Sequence, residues 1–81
     1  MKKMYIYRVW AYEFGCRKNI TDFHTDREAA IKAATPYITE VVEEYGYSKP
    51  ETVIDFVRCE GAWEGTDYEF HTECCVLGVD E

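Results

Sequence analysis

The residues best suited to chemistry lie in the last stretch of the chain, EFHTECCVLGVDE (69–81), where His71 stands three residues before Cys74 and Cys75 among several acids. Imidazole and thiolate are common zinc ligands, and a thiolate beside a histidine is a common nucleophile. Spacing separates ligand from filler. In a strand, successive side chains alternate between faces. Tyr68, Phe70, Thr72, Cys74 and Val76 then share one face, and Asp67, Glu69, His71, Glu73 and Cys75 the other. His71 and Cys74 point apart. His71 and Cys75 sit two pleats apart, roughly 13 Å at ~3.3 Å per residue, too far to grip one zinc ion. A ligand from Cys59 would need both favourable register and a bulge. The leading reading makes Cys74 a small buried hydrophobe and Cys75 a half-exposed one, with no metal and no cofactor. A Cys/His metal-binding or redox protein is the alternative.

Catalysis finds little support elsewhere. His24 and His71 are the only histidines, and neither stands at a spacing that demands a thiol beside it and a third group to orient it. There is no glycine-rich phosphate loop. Paired carboxylates carry little information among sixteen acids, and a chain this short encloses little volume for a substrate. We assign no catalytic residue and expect no enzyme.

The elements that hold these residues follow from pattern. Eighty-one residues make a single domain, 1–81, with a small core. Thirteen aromatics and 47% apolar content argue for a folded chain despite the charge. MYIYRVWAYEF (4–14), aromatic and β-branched, reads as a long strand. GCRKN (15–19) reads as a turn and ITDFHT as a short return strand. Thr25 or Asp26 caps a helix whose apolar stripe includes Ala30, Ile31, Ala34, Tyr37, Ile38, Val41, Val42 and Tyr45, ending at Gly46. Pro36 predicts a kink, or a restart with Thr35 as cap. Thr52–Glu60 and Thr66–Val76 flank GAWEG and read as a hairpin. The fold class is α+β: ββαββ, a four-stranded antiparallel sheet with one Pro-kinked helix on one face.

Charge is the feature that rises above this background. Lysine and arginine number nine against the sixteen acids, a net charge of −7. No lysine or arginine follows Arg58, whereas Glu60, Glu64, Asp67, Glu69, Glu73, Asp80 and Glu81 all do. The expected partner-binding set is Glu60, Trp63, Glu64, Asp67, Glu69 and Glu73, with Trp63 an exposed anchor at the hairpin tip and the acids a row on the outer face. The plain alternative is a solvated face that keeps a small protein soluble, with Arg58 paired across the hairpin. The first strand is apolar on both faces, so the side away from the helix needs a cover. That cover is a partner, a second copy making a homodimer through the open sheet face, or long side chains such as Arg8 folded over the rings.

An acidic surface repels phosphate, which disfavours nucleic acid as a direct partner and favours a basic protein that itself binds nucleic acid. In size and charge the chain resembles the small acidic inhibitors encoded by phages and other mobile elements, anti-CRISPR proteins among them. This is a likeness of type, without a residue motif. It implies a non-catalytic protein-binding inhibitor, in some cases a nucleic-acid mimic, working in the host cytoplasm. No apolar run has the length of a membrane helix, and four cysteines without an export signal suit a reducing, cytoplasmic setting. A structural homodimer with no ligand is the third class.

Overall fold

In the computed structural model, which describes residues 2–79, two long strands form the spine. β1 (Lys2–Glu13) and β4 (Tyr68–Val79) pair antiparallel along their whole length, from Lys2 opposite Val79 to Glu13 opposite Tyr68. The chain leaves β1 through Phe14 and Gly15, at φ 52° and 76°. Positive φ at both central positions is what a two-residue hairpin with the native twist requires. β2 therefore starts at once, as Cys16–Asn19, and the residues expected to turn form the strand. The expected return strand ITDFHT is an irregular segment that still follows β1. Ile20 donates to the Val9 carbonyl at 3.0 Å, Val9 donates to Thr21 Oγ1 at 2.9 Å, and Tyr7 and His24 exchange two bonds of 2.7 Å.

α1 (Arg27–Tyr45) is the anticipated helix. The Asp26 carboxylate accepts from the Glu28 N–H at 3.2 Å, and Gly46 closes the helix at φ 77°. Its stripe is buried: Ala30, Ile31, Ala34, Ile38, Val41 and Val42. The helix does not restart at Pro36. Thr35 donates its hydroxyl to the Ile31 carbonyl at 3.0 Å as an interior residue, not as a cap. Pro36 and Lys32 both lie on the exposed side, where the hydrogen bond lost at a proline costs least because water can replace it.

The main departure is Thr52–Glu60, which lies in a second helix, α2 (Pro50–Glu60). Pro50 occupies the first turn with Glu51, Arg58 lies in the last turn, and Gly61 at φ 86° closes it. Val53, Ile54 and Val57 fall on one helical face and are buried. In a strand, Val53 and Val57 would lie on the face opposite Ile54, and half of this apolar set would meet water. The fourth strand is the short β3 (Ala62–Glu64), inside the stretch read as a loop. The sheet order is β2-β1-β4-β3, all antiparallel. The fold is thus α+β with a four-stranded antiparallel sheet and two helices.

Both helices pack on one face. Val9 and Ala11 of β1 and Tyr68 and Phe70 of β4 meet the apolar faces of α1 and α2 in one core. That layer does not reach the far end of the spine. Beyond Tyr7 and Cys74, β1 and β4 run on as a two-stranded ribbon, where Met4, Tyr5, Val76 and Leu77 are each 44–53% exposed. The molecule is accordingly long, 49 × 24 × 18 Å. No helix among the described residues is long and apolar enough to cross a membrane.

Candidate functional site

The strand alternation read from the sequence holds in β4, where Tyr68 and Phe70 face the helices. Glu69, His71, Glu73 and Cys75 stand opposite Tyr12, Trp10, Arg8 and Ile6 on the open face. The acids of that face are not a bare row. Glu73 accepts from Arg8 Nε and from Arg17 Nη2, each at 2.8 Å. The hydrogen bond from Arg8, and the two positive charges, hold its carboxyl below the usual glutamate range. Arg8 also lies 4.3 Å from the centre of the Phe23 ring, and Arg17 4.2 Å from that of Trp10. Trp10 stacks on His71 at 4.2 Å, and His71 reaches Glu69 at 2.9 Å. A continuous network from Phe23 through Arg8, Glu73, Arg17 and Trp10 to His71 thus covers the middle of the open face. This is the cover by long side chains that the aromatic surplus of β1 called for.

The other expected contact residues separate. Glu60 ends α2, and Trp63 is not an exposed anchor at a tip. It is half-buried on the helix side of β3, edge-on to Phe56 at 5.2 Å and against the core. It points inward because it stands opposite Phe70 in the register. Arg58 binds Glu28 and Asp55 within the helical layer, at 2.7 and 2.6 Å, rather than pairing across a hairpin. Asp80 and Glu81 lie outside the described residues. Glu64, Asp67 and Glu69 remain together: Glu64 stands directly opposite Glu69, and Asp67 lies in the turn that precedes β4. Among the described residues no lysine or arginine pairs with these three.

The cysteines reverse their expected order. Cys74 is exposed and Cys75 half-buried, because the helices stop short of position 74 while Ile6 lies beside Cys75. Cys59 sits on α2 rather than on a facing strand. His24 and Cys74 flank Tyr7 on its two sides, two strand spacings apart, roughly 10 Å at ~4.8 Å per strand. Among the described residues no group of three or more histidine, cysteine or acidic side chains is placed to hold a metal ion.

What the sequence did not single out is a cavity lined by two of these acids, Asp67 and Glu69. Two turns, Phe14–Gly15 and Gly65–Asp67, meet at the end of the sheet. Between them opens a cleft of about 270 Å³ whose lining includes Tyr12, Phe14, Tyr45, Asp67, Tyr68 and Glu69. Gly65 shapes it, since a side chain there would press on the Trp63 indole at 2.9 Å and the Tyr68 carbonyl at 3.0 Å. The local field is negative. Burial, then the carboxylates of Glu13, Asp67 and Glu44, raise the Tyr45 phenol above its ordinary pKa. Burial followed by Asp67 and Tyr68 pushes Tyr47 up to about 12. Phe14 is 87% exposed on the rim, in the left-handed backbone region. A bulky residue there costs roughly 1–2 kcal/mol relative to an ordinary conformation, and the ring recovers little of it by packing. The one legible signal was the dipeptide Phe-Gly between two pairing strands, where asparagine or aspartate would be the usual partner of glycine. No protein-family model, curated protein or solved structure matches the chain.

Proposed function

We propose that the chain is a small, non-catalytic protein-binding module that inhibits a basic, nucleic-acid-binding protein in the cytoplasm, in the manner of phage-encoded inhibitors such as anti-CRISPR proteins. The observation that carries this reading is the cleft at the end of the sheet. It combines two carboxylates with four aromatic rings around a space of about 270 Å³, slightly below the range of small-molecule pockets and suited to one long side chain. Rings and carboxylates together favour a cation with an apolar stem: arginine or lysine. Phe14 on the rim supplies the apolar anchor, and a strained, exposed aromatic is the kind of outlier that marks a binding site. Glu64 adds charge beside the cleft. A partner's basic side chain seated there is withdrawn from phosphate, which is how an acidic module competes with nucleic acid.

The contact set accordingly changes from Glu60, Trp63, Glu64, Asp67, Glu69 and Glu73 to Glu64, Asp67 and Glu69 with Phe14 and Tyr12, because Glu60 ends α2, Trp63 packs inward and Glu73 is engaged within the sheet. The test titrates the isotope-labelled protein with an arginine-rich peptide at low and high salt. Amide shifts should centre on residues 12–14, 45 and 64–69, fade as salt rises, and vanish in Asp67→Asn/Glu69→Gln. Shifts spread evenly over all exposed acids, or unchanged by that double substitution, would reduce the acidic end to a device for solubility.

A further inference from the structure

The opposite end of the sheet presents a separate problem. Past Thr72, whose N–H bonds to the Gly61 carbonyl at 2.9 Å, the outer edge of β4 has no backbone partner among the described residues. From Cys74 to Val79 that edge reads CCVLGV: no charge, no proline and a strong β tendency. Natural sheets guard such edges with lysines, prolines or bulges. The neighbouring outer edge of β1 is guarded, for it begins with two lysines, of which Lys3 is exposed. From Cys74 to Val79 the β4 edge has no such guard, the acids Asp80 and Glu81 following only after it. The ribbon is also apolar on both sides, with Met4, Ile6 and Leu77 on one and Tyr5 and Val76 on the other. Two strands standing free of a helical layer are marginal in water, whereas a sheet of three or more is stable.

We propose that the occupant of this edge is a second copy of the chain, joined by antiparallel pairing of residues 74–79 with the same residues of the other copy. The two four-stranded sheets become one eight-stranded sheet about a two-fold axis perpendicular to it. A neutral edge carries no charge to select a foreign strand, while an antiparallel strand is always complementary to itself. The pairing forms about six backbone hydrogen bonds and sets Val76 of each copy against Leu77 of the other. The charge layout permits it despite the net −7. Among the described residues the acid nearest the edge is Glu73, which Arg8 and Arg17 neutralise; by position, the 74–79 self-pairing sets it against Asp80 of the other copy. Glu69 is eight residues from Leu77 along β4, roughly 26 Å at ~3.3 Å per residue and several screening lengths away at physiological salt. A contact this short gives a weak dimer that depends on concentration.

Sedimentation or native mass measurements over a concentration series, with hydrogen exchange on the same samples, test this. The expected result is a monomer–dimer equilibrium in which amides of 74–79 gain protection as the dimer forms. Val76→Lys/Leu77→Lys, two half-exposed positions outside the core, sets like charges against each other across the axis. It should weaken self-association by more than about tenfold while leaving the far-UV spectrum unchanged. Should the variant fail to fold, the wild-type exchange pattern still decides. A monomer at every concentration up to the solubility limit overturns the proposal. So does a dimer whose 74–79 amides exchange as in the monomer, or one that survives both lysines, since either would join through another surface.

Discussion

Glu73 gives the sharpest test of the open-face network. Two arginines donate to its carboxylate at 2.8 Å, Arg8 adding a second contact at 3.4 Å, with the Glu73 side chain 27% exposed and that of Arg8 23%. Exposed ion pairs contribute ~0.2–1 kcal/mol, and hydrogen bonds to charged groups ~1.5–3. At this partial burial, Glu73→Gln should cost about 1 kcal/mol, a fall of about 4–8 °C in Tm for a domain of this size. The pH dependence has a definite sign. Hydrogen bonding from Arg8 lowers the folded-state pKa of Glu73 below its ordinary 4.5. The contribution is therefore fully present above the unfolded value and lost as pH falls through the folded one. The difference in Tm between parent and variant, followed by circular dichroism, should be constant at neutral pH and shrink below about pH 4.5 as the parent's carboxylate protonates. It should also shrink in high salt. A variant that melts like the parent at neutral pH, or a difference that persists unchanged in acid, would refute the view that this carboxylate holds the two arginines over the rings.

Two further substitutions probe the fold and the cleft. Val42→Asp, at a fully buried α1 position, should unfold the chain at room temperature, because an unpaired buried charge costs several kcal/mol against the ~5–15 that hold a domain together; a folded spectrum would show that the α1 stripe is not core. Phe14→Asn should raise Tm by several degrees, since asparagine tolerates the left-handed conformation, and should weaken binding of a basic peptide. A lower Tm would mean that the phenylalanine packs more than its 87% exposure implies.

Legibility in the sequence followed the strength of the local signal. α1 was readable because a 19-residue stripe bounded by Asp26 and Gly46 satisfies helical period, cap and stop at once. β1 was readable because aromatic and β-branched residues run without a breaker, and β4 because alternating side chains follow the glycines of GAWEG. α2 was misread because threonine, valine, isoleucine and phenylalanine dominate Thr52–Val57 and favour strands, while Pro50, Glu51, Arg58 and Gly61 mark helix ends. Burial of Val53, Ile54 and Val57 together settled the conflict in favour of the helix. β2 was hidden because its turn uses phenylalanine where the hairpin code expects asparagine, and its four residues, CRKN, are all exposed. Of the expected contact residues, Glu64, Asp67 and Glu69 stand together. Trp63 and Glu73 do not join them, because cross-strand register, absent from a single sequence, sets tryptophan against Phe70 and glutamate against Arg8.

The placement of arginine explains why both proposed surfaces lie at the ends of the sheet. A sheet with helices on one side needs something over its other face. Here Arg8 and Arg17 lie over Phe23 and Trp10 and share one carboxylate, so the middle of that face already has its cations paired and its rings covered. The two proposed surfaces lie toward opposite ends of the long molecule: a neutral apolar edge at one, and a cleft of carboxylates and rings at the other. If the edges join two copies, the clefts point outward in opposite directions. A cleft that accepts one basic side chain binds weakly alone. Two held at a fixed separation by a continuous sheet engage a two-fold or repetitive basic surface with an effective concentration set by geometry, multiplying affinity without a new contact. The edge and the cleft then act as parts of one device, in which self-pairing sets the spacing and the acids choose the partner.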